Sequence, residues 1–194
     1  MNTAYNLFLA SASPRRATLL EQLGLKFETL VCEIDETVLN GERPMSYAKR
    51  MALWKAMSAL KKVDSEHSLI ISADTSVVLS DRVLTKPTDF DNFSEIMQAL
   101  SSKTHQVYTS VFITNGKQKE EVVSVSDVSF RKITPPEIKA YWESGEPLDK
   151  AGGYAIQGLG AIFVSQIAGS YSGVMGLPLF ELSIMLKKFG VSVL

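Results

Sequence analysis

The sequence predicts an α/β domain with a mixed sheet, and two observations carry this prediction. Short apolar runs typical of strands alternate along the chain with segments whose apolar residues recur at helical spacing. Two segments that alternate with period two, residues 105–114 and 120–131, flank the turn dipeptide Asn115-Gly116 and indicate an antiparallel hairpin. Interspersed helices favour parallel strands, so the sheet is expected to be mixed, with a cleft formed by loops at the strand ends.

The elements are predicted from local signals. Pro14 and Pro44 stand at expected helix starts, and residues 134–137, "TPPE", have the spacing of a capping box. Strands are predicted at residues 5–10, 26–31, 68–74, 105–114 and 120–131, with two short strands around residues 80–81 and one after the glycine-rich loop 148–160. Helices are predicted at residues 14–23, 44–60, 90–100, from 135 and at 179–189.

Size and composition indicate an ordinary globular protein. With 194 residues we expect one domain over 1–194, and a formal net charge of -1 argues against a dedicated nucleic-acid binder. No apolar run approaches the roughly 20 residues of a membrane span, and a signal peptide is not evident. The single cysteine, Cys32, is interpreted as a small buried hydrophobe. We therefore expect a cytoplasmic protein.

The loop after the first strand, "SASPRR", is suited to an anion. It places two serine hydroxyls and a run of backbone N–H groups at a helix N-terminus, where phosphate binds well. Arg15 and Arg16 are unfavourable beside an empty helix start, but a polyphosphate reverses that balance by pairing with both guanidiniums. The alternative is that both arginines are solvated surface charges, and the residues alone leave the two interpretations open.

Lys55 and Asp74 are candidates on regular elements. Lys55 follows Met51 by four and Ala48 by seven, so it lies on the apolar face of its helix and either snorkels to water or enters a polar cavity. Asp74 ends the apolar run "LIISAD", and the carboxyl ends of strands are where α/β sheets place ligands. Its carboxylate is suited to a divalent ion or to orienting water, and the alternative is a turn-forming aspartate.

A second acidic group stands in "EIDET". Strand alternation would put Glu33 and Asp35 on one face and Glu36 on the other. A solvated acidic loop is the alternative interpretation. Two carboxylates from separate elements suffice for a hard cation that keeps several waters and binds phosphate oxygens.

The remaining candidates lie in loops. Lys86 precedes a proline that keeps it extended, and it is either aimed at the cleft or part of a surface turn. Gln157 carries both a donor and an acceptor and is suited to contacting a base edge. Four glycines around it either allow close approach to a ligand or serve simple turn geometry: Gly152, Gly153, Gly158 and Gly160. Together these cations and carboxylates suggest a site for a metal and a polyphosphate.

These residues resemble the Maf family of nucleotide pyrophosphatases. The motifs "LASASPRRATLLEQLG", "EIDET", "SADTSVVL", "TKP", "SSKTHQVYTSV", "EPLDKAGGYAIQGLG" and "GLPL" occur in the family's order from about Leu7 to Leu179. The resemblance implies a curved mixed sheet with a deep cleft between two lobes, like that of the inosine triphosphate pyrophosphatases. It also implies hydrolysis of nucleoside triphosphates to the monophosphate and pyrophosphate with Mg²⁺ or Mn²⁺, and often a homodimer.

The resemblance also assigns roles by motif. It implies that Ser11, Arg15 and Arg16 grip phosphates, that Lys55 and Lys86 balance phosphate charge, and that Asp74 accepts the proton of the attacking water. Glu36, with Asp74, would bind the metal. Gln157, Thr75 and Arg15 are similar to the subgroup that acts on dTTP and UTP, and modified pyrimidine nucleotides are further expected substrates. The alternatives are the same chemistry on 7-methyl-GTP, or a nucleotide-sensing regulator of septum formation without turnover.

Overall fold

A seven-stranded mixed sheet forms the centre of the structure, a computed structural model that describes residues 5–64 and 66–193. The strands are β1 (Asn6–Ala10), β2 (Glu28–Thr29), β3 (Ser68–Leu79), β4 (Arg82–Leu84), β5 (Thr104–Thr114), β6 (Lys119–Phe130) and β7 (Val164–Ala168). Their order is β2-β1-β3-β5-β6-β7, with β4 also beside β3. Pairs of β1 with β2 and β3 are parallel and the others are antiparallel, so the predicted α/β fold with a mixed sheet is confirmed.

Helices cover the sheet on both faces. They are α1 (Pro14–Glu21), α2 (Pro44–Leu60), α3 (Phe90–Leu100), α4 (Pro135–Glu143), α5 (Tyr171–Met175) and α6 (Leu179–Lys188), with 3-10 turns at Glu146–Asp149, Ala151–Gly153 and Leu159–Phe163. The capping box predicted at the start of α4 is present: the Glu137 carboxylate accepts from the Thr134 backbone N–H at 2.8 Å. Of the helices in the described part of the chain, none has the length and apolar character of a membrane crossing.

The sheet is split beside β3. Strand β1 pairs with β3 along Ser68–Ser72, and β4 pairs with the same edge along Val77–Leu79. Between them, no described strand pairs with that edge from residue 73 to residue 76. Asp74 therefore lies in the middle of a 12-residue strand, and the prediction that it ends its strand is wrong. The strand continues because residues 76–79 are mostly buried and pair with β5 as far as Val78.

The acidic segment after β2 is not a strand. Strand β2 has only two residues, and residues 30–43 form neither a strand nor a helix. The hydroxyl of Tyr47 in α2 donates to the backbone carbonyl of Glu36 at 3.0 Å, so a side chain of α2 holds this segment. The strand predicted to run into this segment is therefore absent, but Glu33 and Asp35 are exposed outside the cavity and Glu36 lines it, which agrees with the predicted division of faces.

Buried clusters divide the molecule into two lobes. In the first lobe, β1 and β3 pack on α1 and α6 through residues such as Leu9, Leu20 and Leu182, and α2 covers the opposite face of the same strands. In the second lobe, α3 and α4 pack on the far ends of β5 and β6 around Phe93 and Phe163. Strands β3 and β5 run through both lobes, which keeps the two halves of any site between them in a fixed relation.

The glycine-rich loop packs against protein. A Cβ on Gly152, whose φ is +65°, would lie 2.8 Å from Val77, and one on Gly153 would lie 2.9 Å from the Phe93 ring. A Cβ on Gly160 would meet the Tyr141 hydroxyl at 2.6 Å. The prediction that these glycines permit close approach to a ligand is thus wrong for these three positions. They allow the loop to lie close against β3, α3 and α4.

A buried histidine makes the stability of the second lobe pH-dependent. The His105 ring is buried, its Nε2 lies 2.7 Å from the Tyr154 hydroxyl, and burial lowers the pKa of His105 to about 4. Between about pH 6.5 and pH 4 the unfolded chain binds a proton that the folded chain does not, so stability falls as the pH falls, by up to ~1.4 kcal/mol per pH unit. We expect His105→Gln, which keeps a partner for Tyr154, to reduce this slope in urea unfolding from pH 7 to pH 5.

The exposed histidine provides the control for this experiment. His67 lies on the surface, with 67% of its side chain exposed, so His67→Gln replaces a histidine without removing a buried imidazole. An equal change of slope in both variants would contradict the assignment to His105.

Candidate active site

A cavity of about 790 Å³ opens where the sheet is split. It is lined by residues 10–16 from the first lobe, by residues 74–77 of β3, and by residues 83–86, 146, 149–151 and 154–158 from the second lobe. All the site residues predicted from the sequence line it: Ser11, Arg15, Arg16, Glu36, Lys55, Asp74, Thr75, Lys86 and Gln157. Residues that are far apart in sequence are therefore brought together, and the predicted cleft between two lobes is present.

Lys55 connects two carboxylates in this cavity. Its Nζ lies 2.7 Å from Asp74 Oδ1 and 2.9 Å from Glu36 Oε1, while Lys86 Nζ lies 3.7 Å from Glu36 Oε2. The Lys55 side chain is only 13% exposed, so it does not snorkel to water, and the interpretation as a lysine entering a polar cavity is the correct one. The four side chains form a continuous chain of alternating charge.

The position of Lys55 follows from the packing of α2 on β3. The hydroxyl of Ser72 donates to the backbone carbonyl of Ala52 at 2.7 Å, one helical turn before Lys55. Because side chains alternate along a strand, Ser72 and Asp74 share the face of β3 that α2 covers. This single buried hydrogen bond sets the height of Lys55 above the Asp74 carboxylate.

Oδ2 of Asp74 has weaker hydrogen-bond contacts than Oδ1. Its Oδ2 has a long contact of 3.5 Å with the Ser76 hydroxyl, whereas Oδ1 bonds Lys55. Asp74 is buried, with 8% of the residue exposed, yet it lines the cavity. Lys55 thus holds the carboxylate through Oδ1, and Oδ2 has no short hydrogen bond within the described chain.

Arg16 is a buried tie between three segments of the chain. Its Nε donates to the carbonyl of Gly176 at 2.8 Å, Nη1 to the hydroxyl of Ser11 at 3.1 Å and Nη2 to that of Thr75 at 3.0 Å. Burial lowers the pKa of Arg16, and the negative charge of Asp74 opposes this shift. All three acceptors are neutral, so the guanidinium contributes positive charge at the cavity wall. The interpretation of Arg16 as a solvated surface charge is wrong.

Arg15 points toward the second lobe and keeps an unsatisfied donor. Its Nε is buried and has no hydrogen-bond partner among the described residues. Burial lowers the pKa of the Arg15 guanidinium, and the negative charges of Asp149 and Glu146 oppose the shift. A buried donor without an acceptor is costly, by about 1–3 kcal/mol.

Thr75 and Gln157 occupy different parts of the cavity. The Thr75 hydroxyl bonds Arg16 and lies 3.0 Å from the Thr109 hydroxyl, so within the protein it supports Arg16. Gln157 is exposed at the cavity rim, and its amide makes no hydrogen bond within the described ranges. Of these two predicted ligand contacts, Gln157 has the unengaged side chain.

The carboxylate of Glu36 remains charged in this setting. Burial raises the pKa of Glu36, but the hydrogen bond and positive charge of Lys55, with the charge of Lys86, outweigh it and lower the pKa overall. Within residues 5–64 and 66–193, no cluster of three or more histidine, cysteine, aspartate or glutamate side chains is arranged to hold a metal. Four carboxylates line the cavity, and Glu36 and Asp74 are the pair that shares Lys55.

Sequence reasoning missed several residues of the cavity wall. Glu146, Asp149 and Lys150 line it from the second lobe, although their segment was recognised only as part of a motif. No local pattern marks them, because their importance comes from contacts with distant residues. Cys32 was interpreted as buried, but it is half-buried and also lines the cavity.

An α/β fold with a split mixed sheet that encloses clustered cations and paired carboxylates defines a protein with a cleft for a charged ligand. Comparison with known protein families shows which family the chain belongs to. The pattern of the family described as "Maf-like protein" matches residues 6–189, and the chain belongs to this family. The family resemblance recognised in the sequence is therefore confirmed.

Two named relatives are similar to this chain over nearly its whole length. The chain is 48% identical over 188 residues to a dTTP/UTP pyrophosphatase of Pseudoalteromonas atlantica, with 96% of this chain and 98% of that protein covered. It is 45% identical to a dTTP/UTP pyrophosphatase of Pasteurella multocida, with 97% and 98% covered. The enzyme class predicted from the sequence, a pyrophosphatase, is the class that these names carry.

One solved structure shows a limited likeness. A nucleoside-triphosphatase / dITP/XTP pyrophosphatase of Mycobacterium abscessus has a TM-score of 0.39 and 16% identity, over 64% of this chain and 72% of that one. Nothing in the interpretation of the site depends on a likeness of this extent.

Arg16→Lys should destabilise the protein strongly. An ammonium group cannot reach three acceptors in three directions, so buried oxygens lose their donor, and we expect a loss of about 2 kcal/mol or more in the free energy of unfolding. Arg131 is a matched control, because it also donates through Nε, Nη1 and Nη2, but it is 38% exposed. Arg131→Lys should cost less than about 1 kcal/mol in urea unfolding, and equal losses would contradict the role given to Arg16.

Proposed function

We propose that this protein hydrolyses nucleoside triphosphates, with dTTP and UTP as substrates, to the nucleoside monophosphate and pyrophosphate. The observation that carries the proposal is Lys55, whose Nζ joins Asp74 and Glu36 inside a cavity that Arg15 and Lys86 also line. The names of the relatives, which are 42–48% identical over nearly the whole chain, support the choice of nucleotide. Cations and carboxylates gathered in one cleft are what phosphoryl transfer requires.

In this proposal the first lobe binds the phosphates. The N–H groups of Ser11 and Ser13 are bonded within the loop, so the backbone donors left for phosphate are those of Ala12 and Arg15. Arg15 also brings a guanidinium whose Nε has no partner in the described chain. Arg16, held by neutral acceptors, supplies positive charge through the cavity wall. Thr75 acts indirectly, because it holds Arg16. Lys86, 59% exposed, is free to turn from Glu36 to a phosphate oxygen.

A divalent cation, Mg²⁺ or Mn²⁺, fits the donors that the cavity offers. Glu36 and Asp74 would hold it, because carboxylate oxygens suit a hard cation. With only two protein carboxylates, the remaining positions fall to water and to phosphate oxygens. When bound, the ion neutralises phosphate charge and polarises the phosphorus–oxygen bonds. Lys55, which bonds both carboxylates, fixes their position relative to each other.

Asp74 is the proposed proton acceptor. Its less occupied Oδ2 takes a proton from water while the water oxygen forms a bond to the α-phosphorus. The bond from that phosphorus to the oxygen bridging the α- and β-phosphates breaks, and pyrophosphate leaves with the electron pair. Arg15, Lys55 and Lys86 stabilise the charge that develops on it.

Finer features of the function stay predictions. Gln157 would contact the base edge, and modified pyrimidine nucleotides would be further substrates. 7-Methyl-GTP as substrate and a regulatory link to septum formation are the alternatives, which a nucleotide panel and a division assay with an inactive variant would separate. A cytoplasmic location, a single domain and a homodimer likewise remain expectations from the sequence.

Asp74→Asn should lose nearly all pyrophosphate release. The amide cannot accept the proton of the attacking water, and we expect the rate with dTTP or UTP to fall by at least about a hundredfold. Asp127→Asn is a matched control, because Asp127 is an exposed strand aspartate whose Oδ1 accepts from the Gln106 amide outside the cavity. Pyrophosphate is measured directly. Release of single phosphate by the wild-type protein, or no release, would overturn the proposed function.

Metal dependence should follow Glu36. Chelation of divalent ions should abolish activity, and Glu36→Gln should raise the Mg²⁺ concentration needed for half-maximal rate by about tenfold, because a neutral amide is a poorer ligand. The neighbouring Glu33, which is exposed and does not line the cavity, provides the control. If Glu33→Gln shifted the Mg²⁺ requirement as much as Glu36→Gln, the choice of ligand would be wrong.

A further inference from the structure

The carboxylate of Glu146 is surrounded by donors from its own protein. Oε1 accepts from the Tyr141 hydroxyl at 2.7 Å and from the backbone N–H of Gly160 at 3.0 Å, and Oε2 accepts from the N–H of Leu159 at 2.8 Å. No lysine or arginine lies within 4 Å of it in the described chain. Burial raises the pKa of Glu146, but these hydrogen bonds outweigh it and lower the pKa overall.

Tyr141 extends this network to the other end of the loop. Its hydroxyl, which donates to Glu146, accepts from the backbone N–H of Ala155 at 3.1 Å. The tyrosine is 4% exposed, and its ring contacts those of Phe93 and Phe163 at centroid distances of 6.0 and 5.1 Å. The hydroxyl is therefore fixed by packing, and it cannot turn away from its two partners.

The loop held in this way carries Gln157. Glu146 fixes residues 159 and 160, Tyr141 fixes residue 155, and the exposed Gln157 amide lies between these points at the cavity rim. Both oxygens of Glu146 are used by protein donors, although Glu146 lines the cavity. A further carboxylate beside Arg15 would weaken phosphate binding if it were free. Its arrangement thus suits support of the loop and not direct contact with phosphate.

We propose that Tyr141 and Glu146 are positioning residues that determine base selectivity by holding residues 155–160, so that the Gln157 amide meets the base of the nucleotide. The proposal rests on the proposed function, because it assumes that a nucleotide occupies the cavity. The proposal adds Tyr141 and Glu146 to the residues that act in the site, and it gives the two lobes different roles. The first lobe and β3 act on the triphosphate, while this pair acts only through the loop on the base.

The test compares two variants with two matched controls. In Tyr141→Phe and Glu146→Gln the loop loses part of its support, and we expect KM for dTTP to rise by about tenfold while kcat changes by less than about twofold. The selectivity for dTTP over dATP, as a ratio of kcat/KM values, should fall. Tyr108→Phe, which loses a hydroxyl bonded to Gln106, and Glu137→Gln, which loses the α4 capping carboxylate, should change none of these quantities.

A double-mutant cycle with Gln157→Ala shows whether the pair acts through Gln157. Gln157→Ala alone should raise KM for dTTP and lower the selectivity, and because the side chain is exposed it should leave the melting temperature unchanged. In the Gln157→Ala background, Tyr141→Phe and Glu146→Gln should add little, by less than about twofold.

Several results would overturn the inference. These are additive effects in the cycle, an equal loss of kcat/KM for dTTP and dATP, or no effect of Gln157→Ala on KM for dTTP. If Tyr141→Phe fails to fold, Glu146→Gln, at a residue that is only half-buried, carries the test alone. Failure of the proposed function itself is recognised separately, because then the wild-type protein releases no pyrophosphate from any nucleotide.

Discussion

The open segment on the edge of β3 is the constraint from which the rest of the site follows. Strand β1 leaves that edge after Ser72, and β4 joins it only at Val77. The four residues between them are held from the other side by β5, so they are rigid although one edge is open. The gap in pairing along one edge of β3 gives the cavity a floor that β5 holds in place from the other edge.

Side-chain alternation along this open segment separates two tasks. Asp74 faces α2 and bonds Lys55, which in turn bonds Glu36, whereas Thr75 faces the other side and bonds Arg16. Adjacent residues thus place a carboxylate with its bridging lysine on one face of β3 and a buried guanidinium on the other. Lys55 and Lys86 lie with the carboxylates, whereas the Arg16 guanidinium is bonded on the opposite face of β3.

Much of this fold was predictable because its signals are local. The turn at Asn115-Gly116, the capping box at the start of α4 and the apolar face of α2 each depend on residues a few positions apart. The place of Lys55 on that face left two interpretations open, a snorkelling side chain or a polar cavity, and only the structure decides between them. Cleft residues were found through motifs, since no periodicity relates residue 16 to residue 74.

The errors arose where distant contacts decide the structure. Asp74 lies within β3 because β5 pairs with both halves of the strand, which no window around Asp74 reveals. The segment near Glu36 alternates like a strand but finds no partner beyond β2, and Tyr47 holds it instead. Gly152 and Gly153 are glycines because Val77 and Phe93, from other elements, leave no room for a Cβ at these positions. Tyr141 and Glu146 were missed for the same reason.

The three hydrogen bonds of Arg16 also have a consequence for biosynthesis. Its Nε is satisfied only by the carbonyl of Gly176, 160 positions later in the chain. A nascent polypeptide on the ribosome can form β1, α1 and β3 long before that carbonyl exists, but the guanidinium beside them then lacks an acceptor. The Arg16 side of the cavity is therefore completed late in translation, so that shortened translation products carry Asp74 without its finished surroundings.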